Sequence, residues 1–332
     1  MKHPATLLPA ALVVLLGGAL APPLGAQSMQ FRAKVADTIP KYAPKVRVRG
    51  VLEVPGTDSL SDLGDEWNRS FRQFHPEGRL IYLPKLSKEA IKDLNDGVRA
   101  VIVSAREMTS EEMQAFRTKF GYMPMRIPVC LDANIVFVNK TNPITSITME
   151  QLDAIYGKDR KGGLKEPLQT WGDLGVRGDL AKRPINAYAR EEGSAIRATF
   201  AAATLLGGDF RPGIAARGDS SSLAESILTD QAGIAFGPMA SWYTTNKILP
   251  VVPYQGSDAR LPTQEMVTTS RYPMPMLYYA YVNRPPGQAL DPAVDEFLHF
   301  VLSQEGQNTV ADVGLFPGPT EFLTIAIKRL DR

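Results

Sequence analysis

The sequence predicts an α/β chain folded as two lobes, with mixed, mostly parallel sheets flanked by helices. Three observations lead there. From residue 46 onward, short β-like runs alternate with helical patterns, as in layered α/β proteins. At 332 residues the chain exceeds one ordinary small domain and suits two. Two further strand-like runs, Ile135 to Asn139 and Leu277 to Asn283, are placed to cross between units. With both as crossings, the middle of the chain is inserted into the first unit. Lobe 1 is then residues 46–138 plus 275–332, and lobe 2 is residues 139–274. Two lobes joined by two strands leave a cleft that can close on a ligand by hinge motion.

The elements follow in order. Val46 to Val54 reads as the first strand, with Val46, Val48, Leu52 and Val54 set against Arg47, Arg49 and Glu53. Gly56-Thr57-Asp58-Ser59 turns into a helix whose apolar stripe is Leu60, Leu63, Trp67, Phe71 and Phe74. Leu80 to Leu83 is a second strand. Ser87 opens a helix over Lys88 to Asn95, and Gly97 stops it. Val98 to Val103 is a third strand, apolar enough to be buried on both faces. Thr109 with Glu112, and Thr148 with Gln151, are capping boxes that start two more helices. Asp291-Pro292 starts a late helix with Val294, Phe297, Leu298, Val301 and Leu302 on one face.

Composition excludes several classes. The chain is 44% hydrophobic and 22% charged, which suits a globular protein with a sizeable core. A formal net charge of +2 gives no bulk attraction for nucleic acid or an acidic membrane. Lys2 and His3, the apolar stretch Leu7 to Ala21 and the small residues before Gln27 read as a secretory signal over 1–26, cleaved near Ala26. The alternative, a membrane anchor, is opposed by the short run and by Pro9, Gly17 and Gly18 within it. Residues 27–45 look like a tether or edge extension. Cys130 is the only cysteine, so no internal disulfide forms, and its strand-like setting reads as buried and inert. Outside the signal only His75 and His299 remain. There is no His-Glu-x-x-His pair, Gly-x-Ser-x-Gly elbow, Walker loop or zinc spacing, so neither an enzyme nor a cofactor or metal is expected.

The most informative stretch is Tyr188 to Phe200. A short apolar run ends in Arg190; Gly193 and Ser194 follow, and a helical pattern begins. That order gathers a guanidinium, a hydroxyl and free helix-start N–H groups around one point, which attracts a small tetrahedral anion. Here the chain resembles the type II periplasmic binding proteins, and among them the phosphate-binding component of the ABC phosphate importer. The pieces are Gly56-Thr57-Asp58-Ser59-Leu60 with Trp67 and Phe71, Ser104-Ala105-Arg106-Glu107-Met108, Asn142 to Gly157 with Trp171-Gly172-Asp173-Leu174, Arg190 to Phe200, Tyr272-Pro273 with Leu277-Tyr278, and Ser303 to Gln307. They span about residues 48–320 in the family's order. Ala195 and Ile196 depart from its usual glycine and threonine, and the loop Pro84 to Ser87 lacks its glycines.

The resemblance implies a two-lobed type II periplasmic-binding-protein fold and a set of ligand contacts. Arg190, Gly193, Ser194 and Ala195 fall in its anion loop, Asp58 and Ser59 in its first loop, Ser87 near its second-loop hydroxyl, and Arg106 where members carry aspartate or arginine. Each has a plainer alternative. Asp58 and Ser87 can simply cap helices. Arg190 can form a surface ion pair, and Arg106 can pair across the cleft with Asp58 or Glu192. As a ligand group, Asp58 would accept a proton-bearing oxygen and so favour protonated phosphate over sulfate. The implied function is an exported, monomeric, non-catalytic receptor that captures an inorganic oxyanion, phosphate above others, for an ABC permease in the membrane. The alternatives are another anion or small acid, or a sensory or structural module that kept the fold and lost the ligand.

Overall fold

Hydrophobic burial organises the chain around one long strand. The computed structural model of the protein describes residue 31 and residues 33–239 and 245–332, so the expected signal and its cleavage point lie outside the described residues. The strands are β1 (Gly50–Thr57), β2 (Gly78–Lys85), β3 (Val101–Ser104), β4 (Met125–Asn139), β5 (Ile147–Thr148), β6 (Asn186–Arg190), β7 (Ala215–Arg217), β8 (Gly233–Pro238), β9 (Asn246–Leu249), β10 (Val251–Val252), β11 (Pro275–Val282) and β12 (Phe316–Pro317). The main sheet runs β2-β1-β3-β11-β4-β8-β6-β7. Pairing is parallel on both flanks, where helices cross over, and antiparallel at the centre. The central reversal follows from connectivity: β4 carries the chain out of one lobe and β11 resumes in it.

β4 belongs to both lobes. Met125 to Ala133 pair with β11, whereas Asn134 to Asn139 pair with β8 and β9. The switch between Ala133 and Asn134 places the crossing just upstream of Ile135–Asn139, a run that pairs wholly within the second lobe. Leu277 to Val282 lie in β11, which pairs with β3 and β4. Tyr272 donates its hydroxyl to the Asn134 carbonyl (3.0 Å), and the Asn134 N–H donates to the Met274 carbonyl (3.0 Å). Pro128, which has no N–H to give, sits beside a bulge in the β4–β11 ladder. The carbonyl of the extra residue, Val129, accepts from Gln307 Nε2 at 2.9 Å.

Helices cover both faces. Ser61–Phe74 buries Leu63, Trp67 and Phe71, the apolar stripe read from spacing. Thr109 and Thr148 cap their helices as expected, each accepting from the backbone N–H three residues on. Asp291 caps Pro292–Leu302.

Two expectations at the N-terminal side are corrected. The first strand begins at Gly50, not Val46, because side chains take the earlier amides: Val46 N–H donates to Glu296 Oε1 (2.8 Å) and Val48 N–H to His75 Nδ1 (3.1 Å). Nor do the described residues before 46 form a loose tether. Ile39 and Tyr42 are buried, the Tyr42 hydroxyl donates to Glu296 Oε2 (2.5 Å), and the Tyr42 N–H donates to Glu305 Oε2 (2.6 Å). Cys130 is buried, and burial pushes its thiol well above the usual range, as an inert core cysteine requires.

Candidate anion site between the lobes

Parallel strands deliver their functional residues at their C-terminal ends, where α/β ligand sites form. β1 ends at Thr57 and leads into the short 3-10 turn Asp58–Leu60. β6 ends at Arg190, and β7, paired with it, ends at Arg217. These ends meet in a crevice of roughly 280 Å³ lined by Asp58, Ser59, Ser61, Asp62, Arg190 and Asp219 to Ser221.

Arg190 is the centre of this arrangement. It is 1% exposed, so its charge has lost nearly all its water and needs partners. Nη2 donates to Asp58 Oδ2 at 2.6 Å and to the Gly218 carbonyl at 2.8 Å, and Nη1 donates to Ser220 Oγ at 3.1 Å. Nε has no hydrogen-bond partner among the described residues. The surface-pair alternative for Arg190 therefore does not hold. Its counter-charge comes from the other lobe, 132 residues earlier in the chain. Asp58 does not cap its turn either: Thr57 is the cap position, no side-chain cap bond is made there, and the Asp58 carboxylate goes to Arg190 instead.

The loop after β6 is shaped for close approach. Gly193 has φ +87°, a left-handed conformation that favours glycine, and a Cβ there would stand 3.8 Å from Leu86 Cδ1 of the first lobe. Ser194 is buried and caps the helix Ala195–Thr204 by accepting from the Arg197 N–H. The first-turn amides of Ala195 and Ile196 have no intrahelical acceptor and lie at the positive end of that helix. Arg197 braces the loop from behind, donating to the Arg190 carbonyl at 3.1 Å with its guanidinium 4.1 Å from the Phe210 ring centroid.

Five expected residues stand apart from the crevice lining: Gly193, Ser194 and Ala195, of which Gly193 and Ser194 line a separate pocket with Arg197 and Phe210, and Ser87 and Arg106. Ser87 is the first residue of its helix, not its cap, and its buried hydroxyl accepts from the Ala105 N–H at 3.2 Å. That bond ties the second loop to the loop after β3. Arg106 makes two bonds of 2.7 Å to the Glu112 carboxylate and one of 2.8 Å to the Glu107 carbonyl. Its cross-cleft pairing with Asp58 or Glu192 is not found; a carboxylate six residues away takes the fork. Sequence reasoning missed the Gly218–Ser221 loop. Asp219 caps the helix Ser220–Thr229 by accepting from Ser222 N–H at 2.7 Å, and the Asp-Ser-Ser-Ser run was the available signal.

The family model described as the PBP superfamily domain matches residues 43–305. The "Phosphate-binding protein PstS" of Pseudomonas aeruginosa is 33% identical over 298 residues, covering 90% of this chain and 92% of that protein. This chain belongs to the PBP superfamily. Solved structures share the two-lobed fold at lower identity. A putative phosphate ABC transporter substrate-binding protein with bound phosphate, from Clostridium perfringens, aligns with a TM-score of 0.65 at 20% identity, over 81% of this chain and all (100%) of that one. An ABC-type phosphate transport receptor from Vibrio cholerae aligns with a TM-score of 0.63 at 20% identity, over 80% of this chain and 99% of that one. In this PBP-superfamily chain, β4 pairs with β11 along its first part and with β8 and β9 along its second. Among the described residues no helix is long and apolar enough to cross a membrane.

Proposed function

We propose that this protein is an exported receptor that captures phosphate between its lobes and delivers it to an ABC permease, catalysing no reaction. One observation carries the reading: a nearly fully buried guanidinium at the interlobe crevice, with one unpaired donor and a carboxylate only one-third exposed as its counter-charge. A tetrahedral anion supplies what that guanidinium lacks. The 33% identity to a phosphate-binding protein supports the choice of anion.

In this reading Arg190 and the amides after Gly193 donate to the phosphate oxygens. Ser194 shapes that loop, and Ala195 contributes its backbone N–H. Asp58 accepts from a protonated oxygen, which sulfate cannot offer near neutral pH. Ser59 lies beside it. Ser87 and Arg106 hold the first-lobe loops in place rather than touching the ion. Residues 46–138 with 275–332, and 139–274, approximate the two moving bodies, with the hinge at Ala133–Asn134 and Tyr272–Pro275. The protein works as a monomer in the periplasm after cleavage near Ala26. Titration calorimetry on protein stripped of bound anion, with phosphate, sulfate and molybdate in parallel, tests the reading. Micromolar or tighter phosphate binding with weak sulfate binding supports it; no heat with any of the three overturns it.

A further inference from the structure

Asp132 is a carboxylate with no solvent exposure, placed in β4 one residue before the pairing switches lobes. Its Oδ1 accepts two backbone N–H groups, from Ala133 (2.7 Å) and from Met239 of the second lobe (2.9 Å). Its Oδ2 faces the buried Tyr278 hydroxyl of β11 at 3.4 Å. The Tyr278 oxygen lies 3.2 Å from Ser59 Oγ, and Ser59 Oγ lies 3.1 Å from Thr57 Oγ1.

We infer that Asp132 fixes the direction of this hydrogen-bond chain and thereby makes Ser59 an acceptor that reads a proton on the bound oxyanion. An ionised carboxylate only accepts, and each hydroxyl has one proton to give. Tyr278 therefore donates to Asp132. Burial, and next the Asp132 charge, hold the Tyr278 phenol well above its usual pKa, so that proton is always present. With its proton spent, the Tyr278 oxygen accepts from Ser59. Ser59 in turn accepts from Thr57, which is buried and whose carbonyl is held by the Tyr82 hydroxyl at 2.7 Å. One lone pair of Ser59 remains, on a side chain that lines the crevice beside Asp58. The first loop thus presents two acceptors side by side. A protonated oxyanion can donate to them, whereas a fully deprotonated one meets lone pairs only. Tyr278, buried between Ser59 and Asp132, is a positioning residue for this discrimination.

The inference rests on phosphate capture at this site, and three variants test it by calorimetry with phosphate and with sulfate. Ser59→Ala removes the acceptor: phosphate binding should weaken roughly 3–10-fold with sulfate binding unchanged or tighter. A donating Ser59 would weaken both, which overturns the inference. Tyr278→Phe frees the Ser59 proton to point at the ligand, so the phosphate-to-sulfate preference should fall roughly 3–10-fold. Asp132→Asn can keep its carbonyl on Ala133 and Met239 and turn its NH₂ to Tyr278, reversing the chain; it should shift the preference the same way. A preference within about twofold of the unmodified protein in Tyr278→Phe, with its fold checked by thermal melting, also overturns the inference. Should Asp132→Asn fail to fold, the other two variants decide. An unmodified protein that binds neither anion defeats the proposed function and the inference with it; one that binds phosphate with preferences unmoved by the variants defeats the inference alone.

Discussion

Replacing Arg190 by alanine separates the two duties of its guanidinium. For binding, the guanidinium has up to two charge-assisted bonds left to give a phosphate, from Nε and the second Nη1 hydrogen, in a site nearly free of water. At about 1.5–3 kcal/mol each, their loss is about 3–6 kcal/mol, or roughly 10²–10⁴-fold in Kd. For stability, the burial of Arg190 means that Arg190→Ala disturbs the fold as well as the site. The side chain is buried, and it bonds the Gly218 carbonyl, Ser220 and Asp58. Removing it strands the Gly218 carbonyl and leaves a void between the end of β6 and the start of the helix Ser220–Thr229. Part of the Asp58 contribution is discounted, because that carboxylate is 34% exposed and water can reclaim it. A loss of about 2–4 kcal/mol of unfolding free energy is expected. Titration calorimetry reads the first quantity and urea unfolding the second. Phosphate affinity within tenfold of the unmodified protein refutes the site; an unchanged urea midpoint refutes the account of its burial.

Three further outcomes are expected. Gly193→Ala forces a side chain into φ +87°, costing about 1–2 kcal/mol and distorting the loop, so phosphate binding should weaken at least severalfold by calorimetry. Asp219→Ala removes the cap of Ser220–Thr229 and should lower stability by about 1 kcal/mol in urea unfolding, with a smaller loss of phosphate affinity through Ser220 and Arg190. His75 gives the pH dependence. Burial lowers its pKa below the ordinary imidazole value, which the Glu296 charge only partly offsets, so the native state holds it neutral. A lowered histidine pKa means stability that is complete above about pH 6.5 and falls as protons bind the unfolded chain first. Melting temperature should therefore drop between pH 7 and 5, and His75→Gln should flatten that drop; an identical pH profile in the variant removes His75 as its cause.

Legibility followed sequence distance. The helix start after β6 could be read because Gly193 and Ser194 directly precede an apolar-periodic run, which Ser194 caps. The apolar stripe of Ser61–Phe74 and the threonine caps were local in the same way. Arg106 was legible as a loop residue but not in its partner, because Glu112 serves both the helix start and the guanidinium. The Gly218–Ser221 loop stayed hidden because only the β6–β7 pairing brings it to Arg190. The start of β1 was misplaced because its competitors for the Val46 and Val48 amides are Glu296, far down the chain, and His75, across a helix. Asp132 carried no signal at all: one acid inside an apolar strand says nothing about the two lobes it touches.

The docking of residues 39–48 has a bearing on biogenesis. Their anchors, Glu296 and Glu305, belong to helices 251 and 263 residues further along the chain from Lys45 and Tyr42. This stretch consequently lacks those anchors until the two helices have been made. Its docking is a closure across most of the described fold, which costs loop entropy before it yields any contact.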